Sequence, residues 1–196
     1  MRSRDENKEL AIRKKAIEIV VNRGFDGLSM QKLAKEAGVS PATIYIYFKD
    51  RDDLIMQLSM DAGKKMVDAM LSGFDPDMHF EEGLRIQWRN RALFCIENPV
   101  LMAFLDQVKN SHLHERTYKM DSGFIEIMKS FVHTAIARKE LKALPVEVYW
   151  AIAYAPLYQL IRNHLSPYGM PGREKFILDD VKLEEALQHI LKALKP

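Results

Sequence analysis

The stretch SMQKLAKEAGVSPATIYIYFKDRDDL, Ser29 to Leu54, decides how the rest of the chain is read. Ser29 is a good helix N-cap, its hydroxyl able to accept from a free backbone N–H of the first turn. Met30, Leu33, Ala34 and Ala37 then fall at helical spacing and form one apolar face. Gly38 follows as the residue best suited to the left-handed backbone that ends a helix. Ser40 caps a second helix, with Pro41 at its first position, where a missing N–H costs nothing. That helix is expected over Ala42–Tyr47, and it carries Thr43 and Tyr45 on a face that core packing does not require. Asp50 caps a third helix, and Asp53 three residues on makes an approximate capping box. Helix, glycine-containing turn, helix is the pattern of a helix-turn-helix, whose second helix enters the major groove of DNA.

Gly38-Val39-Ser40-Pro41-Ala42-Thr43-Ile44-Tyr45-Ile46-Tyr47-Phe48, followed by Lys49-Asp50-Arg51-Asp52-Asp53-Leu54, resembles the DNA-binding segment of TetR-type transcriptional regulators. The resemblance covers about the first quarter of the chain. It implies an all-α protein of about nine helices: a three-helix DNA-binding domain at 1–50, then a larger helical ligand-sensing and dimerisation domain at 51–196. It also implies DNA contact by Thr43, Tyr45, Tyr47 and Arg51. Ser40, Pro41 and Ala42 open the recognition helix, where base edges are read, but Pro41 and Ala42 offer only apolar contact, for instance to a thymine methyl. Ser29, Gln31 and Lys32 on the preceding helix complete the set. Ile46 departs from the aromatic or His that the family often has there.

Length and composition agree with that picture. The chain has 196 residues, 47% of them hydrophobic, which is ample for a core. A single cysteine, Cys95, excludes an intrachain disulfide framework and a cysteine-based zinc site. No apolar run approaches the roughly 18 residues of a membrane span, and no signal segment opens the chain. A soluble cytoplasmic protein is expected. The net charge of +2 is localised: residues 1–54 hold 11 Lys/Arg against 9 Asp/Glu, and the remainder is balanced at 18 against 18. A basic bias beside the helix-turn-helix fits a DNA-facing surface.

Further helices are expected at about Glu6–Arg23, with Ile12, Ala16, Ile19 and Val20 as its buried stripe, and from Asp50 to about Ser72. In the first of these, Arg13, Lys14 and Lys15 lie off the stripe, toward phosphate or water. Others follow at about His79–Glu97, Pro99–Lys109, His114–Lys139 and Val146–Leu165, the last kinked at Pro156 and apolar nearly all round, so that it must be covered nearly all round. A final amphipathic helix places Leu183, Leu187, Ile190 and Leu194 in one stripe.

The second half is rich in aromatics. By the family resemblance its helices enclose a small-molecule pocket, for which Trp88, Phe104, Tyr118, Phe124, Met128, Tyr154 and Tyr158 are the candidates; an aromatic stripe on a helix equally serves a core. The pair His112 and His114 points in divergent directions on a helix and has no companion ligands. No nucleophile motif, phosphate-binding glycine loop or H-E-x-x-H is present, so neither an enzyme nor a bound cofactor is expected. The reading is a dimeric repressor, paired through its last two long helices. It binds a palindromic double-stranded operator and is released by an unidentified small molecule. The alternative is an effector-independent DNA-binding or partner-binding protein of the same fold.

Overall fold

The computed structural model describes residues 5–113, 122–168 and 174–196, and every regular element among them is helical. In chain order they are α1 (Glu6–Arg23), a 3-10 turn (Phe25–Gly27), α2 (Met30–Ala37), α3 (Pro41–Ile44), α4 (Arg51–Met70), α5 (Phe80–Glu97), α6 (Pro99–Lys109), α7 (Ser122–Ala137), α8 (Val146–Ala153), α9 (Ala155–Leu165) and α10 (Asp180–Leu194). The all-α expectation holds. No helix among the described residues is long and apolar enough to cross a membrane. The chain divides into two compact units: α1, α2, α3, α4 as far as Lys65, and α6 in the first; the end of α4 from Met66, α5 and α7 to α10 in the second.

In the first unit, α1 begins at the Asp5 cap, whose carboxylate accepts from Lys8 N, and closes at Gly24 with φ 68°. Its stripe Ile12, Ala16, Ile19 and Val20 is fully buried. Leu33 and Ala34 of α2, Ile44 of α3 and Leu54, Ile55 and Leu58 of α4 join it in one core with Leu28, Phe48, Phe104, Val108 and Leu113. The last three come from α6 and the residues just after it, and Gln107 Nε2 donates to Val21 O at 3.3 Å. This corrects one expectation. Phe104 is a fully buried member of the first unit's core, because the apolar stripe of α6 covers α1 rather than lining a ligand pocket.

The second unit is organised around α5, which packs against α7, α9 and α10. Gly83 lets Phe131 of α7 come so close that a Cβ there would stand 2.4 Å from the ring. Phe131 is held by Phe74 at 5.0 Å edge-on and by Phe80 at 5.7 Å stacked. The kink expected at Pro156 is a full break: α8 ends at Ala153, Tyr154 takes φ −127°, and α9 starts at Ala155. A proline cannot donate to the carbonyl four residues earlier, and its ring crowds the preceding turn. The carbonyl that loses its donor to Pro156 is that of Ile152, and beside it at the break the Ala153 carbonyl accepts from the Trp88 indole N–H at 2.7 Å.

Of the helix expected over His114–Lys139, residues 114–121 lie outside the described residues; the rest forms α7 as far as Ala137, and Lys139 just beyond it takes φ 57°. In α10 the buried face is Leu187, Leu191 and Leu194, rotated slightly from the expected stripe, with Leu183 and Ile190 half-buried.

Candidate nucleic-acid interface

Local chemistry fixes the helix-turn-helix residue by residue. Ser29 Oγ accepts from Lys32 N at 3.2 Å and starts α2. At its end Gly38 sits at φ 68°, ψ 30°, with Val39 N bonded to Ala34 O at 3.0 Å and Gly38 N to Lys35 O at 3.3 Å. That pair of bonds is a Schellman closure, and it requires a left-handed residue where Gly38 stands. Ser40 Oγ then accepts from Thr43 N at 3.2 Å and pairs with the Thr43 hydroxyl at 2.8 Å. Ser29 and Ser40 thus serve as caps.

The second helix is shorter than the expected Ala42–Tyr47. Its α-geometry covers Pro41–Ile44, after which Ile46 N bonds Thr43 O at 3.2 Å and Tyr47 N bonds Ile44 O at 3.0 Å. Those are i→i+3 bonds, the tighter pattern that β-branched and aromatic side chains tolerate when crowding disfavours further α turns. Ile44 and Phe48 anchor the segment at 0% and 1% exposure, while Tyr45 points outward at 56%. Asp50 caps α4 through Asp53 N at 2.8 Å. Asp53 reaches back to Lys49 N at 2.8 Å, one residue earlier than in a capping box.

Gln31, Ser40, Pro41, Ala42 and Tyr45 are exposed, and Thr43 and Arg51 are half-buried. The Arg51 Nε lies 3.7 Å from Asp52. Lys35 and Lys49 are exposed with no ion pair among the described residues, and they extend the basic surface beyond what the motif alone singles out. Tyr47 stands apart. Its ring is 7% exposed, and its hydroxyl accepts from Asp5 N at 2.8 Å and donates to Asp5 O at 3.1 Å. It ties the start of α1 to the helix-turn-helix. Arg13 is similarly engaged within the unit, 5.1 Å over the Phe48 ring and bonded to Asp61 at 2.8 Å and Gln57 at 3.1 Å.

In the second unit three of the candidate ligand residues, Phe124, Tyr154 and Tyr158, gather around one that motif reading did not single out, Arg91. It is 1% exposed, and its guanidinium carbon is 4.5 Å from the Tyr154 ring, 5.5 Å from Trp150 and 5.7 Å from Phe124. Tyr158 accepts from Arg91 Nη1 at 2.9 Å. Trp88 and Tyr154 are fully buried and Met128 is 8% exposed; Tyr118 lies outside the described residues. Burial pushes the Tyr149 and Tyr154 phenols above the ordinary tyrosine range. A sequence signal for Arg91 exists: with Leu84, Trp88 and Cys95 it completes an i, i+4, i+7, i+11 stripe, a cation on an apolar face. Among the described residues no group of three His, Cys, Asp or Glu side chains could hold a metal ion.

The family model described as "Bacterial regulatory proteins, tetR family" matches residues 12–58, the segment whose geometry is given above. An uncharacterised HTH-type transcriptional regulator of Haemophilus influenzae is 36% identical over 92 residues, 47% of this chain and 49% of that protein. This chain therefore spans about half the length of that relative. A TetR-family transcription regulator from Marinobacter aquaeolei superposes with a TM-score of 0.81 at 26% identity, covering 99% of this chain and 98% of that one. The regulator FadR of Bacillus subtilis, solved in complex with stearoyl-CoA, shares the fold at a TM-score of 0.70 and 16% identity, over 95% and 99% of the two chains. With the matched segment, the all-helical architecture and full-length similarity in agreement, residues 12–58 are a TetR-family DNA-binding segment and the chain has the fold of TetR-family transcriptional regulators.

Proposed function

We propose that the protein is a cytoplasmic homodimeric repressor that grips a palindromic operator and lets go when a small molecule binds its second unit. The carrying observation is that α3 holds Tyr45 out to solvent at 56% exposure while Ile44 and Phe48 lock the backbone from behind. Tyr45 and Thr43 bring hydroxyls to phosphate oxygens, which fix register without reading sequence. Lys35, Lys49 and Arg51 add charge around them. Gln31, Pro41 and Ala42 face the base edges, so direct readout is sparse, and Ser29 and Ser40 hold the two helices at their N-termini. Tyr47 acts in this reading as a positioning residue through Asp5.

Pairing two copies sets their α3 segments about 34–36 Å apart, one turn of duplex. Exposed apolar residues on the late helices, Val146 and Val148 of α8, Leu165 of α9 and Val181 of α10, supply the matching face. The fold holds stearoyl-CoA in FadR, which supports a small-molecule effector here. Such a molecule switches the protein only by preferring the form whose recognition segments are out of register.

The test is binding of the purified protein to labelled DNA from upstream of its own gene, over a salt series and against random competitor. Saturable binding that resists competitor, has a two-fold footprint and weakens in Tyr45→Phe supports the reading. Absence of DNA binding even at low salt overturns it. Operator binding that no small molecule relieves leaves the effector-independent alternative.

A further inference from the structure

The three buried side-chain polar atoms that lack a hydrogen-bond partner among the described residues, Arg91 Nε, Tyr149 Oη and Tyr154 Oη, belong to neighbouring side chains. The Arg91 guanidinium lies against the Tyr154 ring, and the Tyr149 and Tyr154 rings meet edge-on at 6.1 Å. The remaining donors of Arg91 go to neutral acceptors: Nη1 to Tyr158 Oη at 2.9 Å and Met70 Sδ at 3.1 Å, Nη2 to Gln87 Oε1 at 3.2 Å. No carboxylate pairs with it among the described residues. A buried cation is ordinarily matched by an anion, because desolvation is otherwise only partly offset. Buried hydroxyls without partners are rare in native structures for the same reason.

The chemistry that satisfies Arg91 Nε together with one of the two phenols is a single carboxylate. Its two oxygens accept from the guanidinium fork, Nε included, and from a phenol O–H. The raised Tyr149 and Tyr154 phenols stay protonated as donors. Three rings converge on the Arg91 guanidinium, a single positive charge, which matches one negative charge rather than a polyphosphate. The side chains around these atoms, Phe124, Trp150 and Tyr154, are aromatic, so the body of a ligand that reaches them is apolar. Trp150 is 41% exposed with its ring 4.6 Å from Tyr154, and it is the most exposed member of the cluster, Phe124 and Tyr158 being half-buried.

We propose that this cluster is the effector site and that the effector is an organic monocarboxylate with an apolar body, anchored on Arg91 and the Tyr154 hydroxyl and admitted past Trp150. This rests on the ligand-released reading above and adds the chemical class of the ligand and its anchor.

The test uses the full chain and three carboxylates, benzoate, phenylacetate and octanoate, each against its primary amide. Binding is read by tryptophan fluorescence and thermal melting in wild type, Arg91→Met and Tyr154→Phe, with circular dichroism to verify folding. At least one acid should bind wild type tenfold or more tighter than its amide. Arg91→Met should reduce that preference below twofold, and Tyr154→Phe should weaken the acid at least threefold. Should Arg91→Met fail to fold, Tyr154→Phe carries the test. Equal binding of acid and amide, no binding of any acid, or an undiminished preference in the folded variants overturns the proposal. Wild-type protein that binds operator DNA but no acid defeats this inference alone. Acid preference without DNA binding defeats the functional reading alone.

Discussion

Tyr45 and Tyr47 are two positions apart, yet removing the same oxygen atom from each should have opposite consequences. The Tyr47 hydroxyl makes two hydrogen bonds to the Asp5 backbone, at 2.8 and 3.1 Å, from a ring that is 7% exposed. Each such bond contributes about 0.5–1.5 kcal/mol net. Asp5 O keeps its helical partner Glu9 N at 3.1 Å, and Asp5 is only half-buried, so water replaces part of the loss. Tyr47→Phe should therefore cost about 1–2 kcal/mol. With a urea slope of about 2 kcal/mol/M, the midpoint falls by about 0.5–1 M. The Tyr45 hydroxyl has no partner in the protein among the described bonds, so Tyr45→Phe should leave the midpoint within about 0.3 M, inside the ordinary range of surface substitutions. Operator affinity should do the reverse. A hydrogen bond to a charged phosphate is worth about 1.5–3 kcal/mol, so Tyr45→Phe should lose tenfold or more. Tyr47→Phe, assayed where it is fully folded, should lose no more than about threefold. Urea unfolding followed by circular dichroism and titration of labelled DNA measure both quantities. If Tyr47→Phe keeps wild-type stability and loses as much affinity as Tyr45→Phe, the assignment of its hydroxyl to Asp5 is wrong.

Three other perturbations follow from the geometry. Gly63→Ala and Gly83→Ala both lie inside helices, where alanine gains about 1 kcal/mol. A Cβ at Gly63 meets nothing within 4 Å, so urea unfolding should show a gain there, whereas at Gly83 it meets Phe131 at 2.4 Å and overpacking should leave a net loss of about 1–3 kcal/mol; equal signs would refute the packing. Trp88→Phe removes the donor to Ala153 O and part of a fully buried ring, and denaturant titration should report a loss of about 3 kcal/mol or more. Glu140 accepts from Phe80 N at 2.7 Å, the chief cause that lowers its pKa below the ordinary glutamate value of 4.5, with His79 at 2.6 Å adding to it. A folded pKa below the unfolded one stabilises above the unfolded value and is lost as pH falls through the folded one. The stability gap between wild type and Glu140→Gln should therefore be full at neutral pH and shrink below about pH 4.5.

What the sequence made legible is what local physics decides. Ser29, Gly38, Ser40 and Asp50 each act on backbone within a few positions of themselves, so caps and closures could be placed before any fold was known. The extent of α1 came from its periodicity in the same way. The role of Tyr47 was not legible, because its partner is 42 positions away. Phe104 was misplaced for a related reason: an apolar residue states that it will be buried, not against what. Arg91 escaped notice because its meaning depends on Phe124, Trp150, Tyr154 and Tyr158, which arrive from other helices. Pro156 did announce a disturbance, but whether it bends or breaks a helix depends on the partners around the break, and Trp88, which donates to the Ala153 carbonyl there, is remote in sequence.

The packing of α6 against α1 bears on how the protein is made. Helices α1 to α3 leave the ribosome with the stripe of Ile12, Ala16 and Ile19 facing outward, and part of its cover does not yet exist. Phe104 and Val108 follow Lys65 by some forty residues, which at about 5–20 residues per second is roughly 2–9 s of synthesis. During that interval the part of the α1 stripe that Phe104 and Val108 cover lacks that cover. A gene fragment that stops after α4 would freeze it in that condition. Expression of residues 1–65 alone should give an aggregating fragment, and a chain carried through Leu113 is the shortest that contains every described side chain of this core.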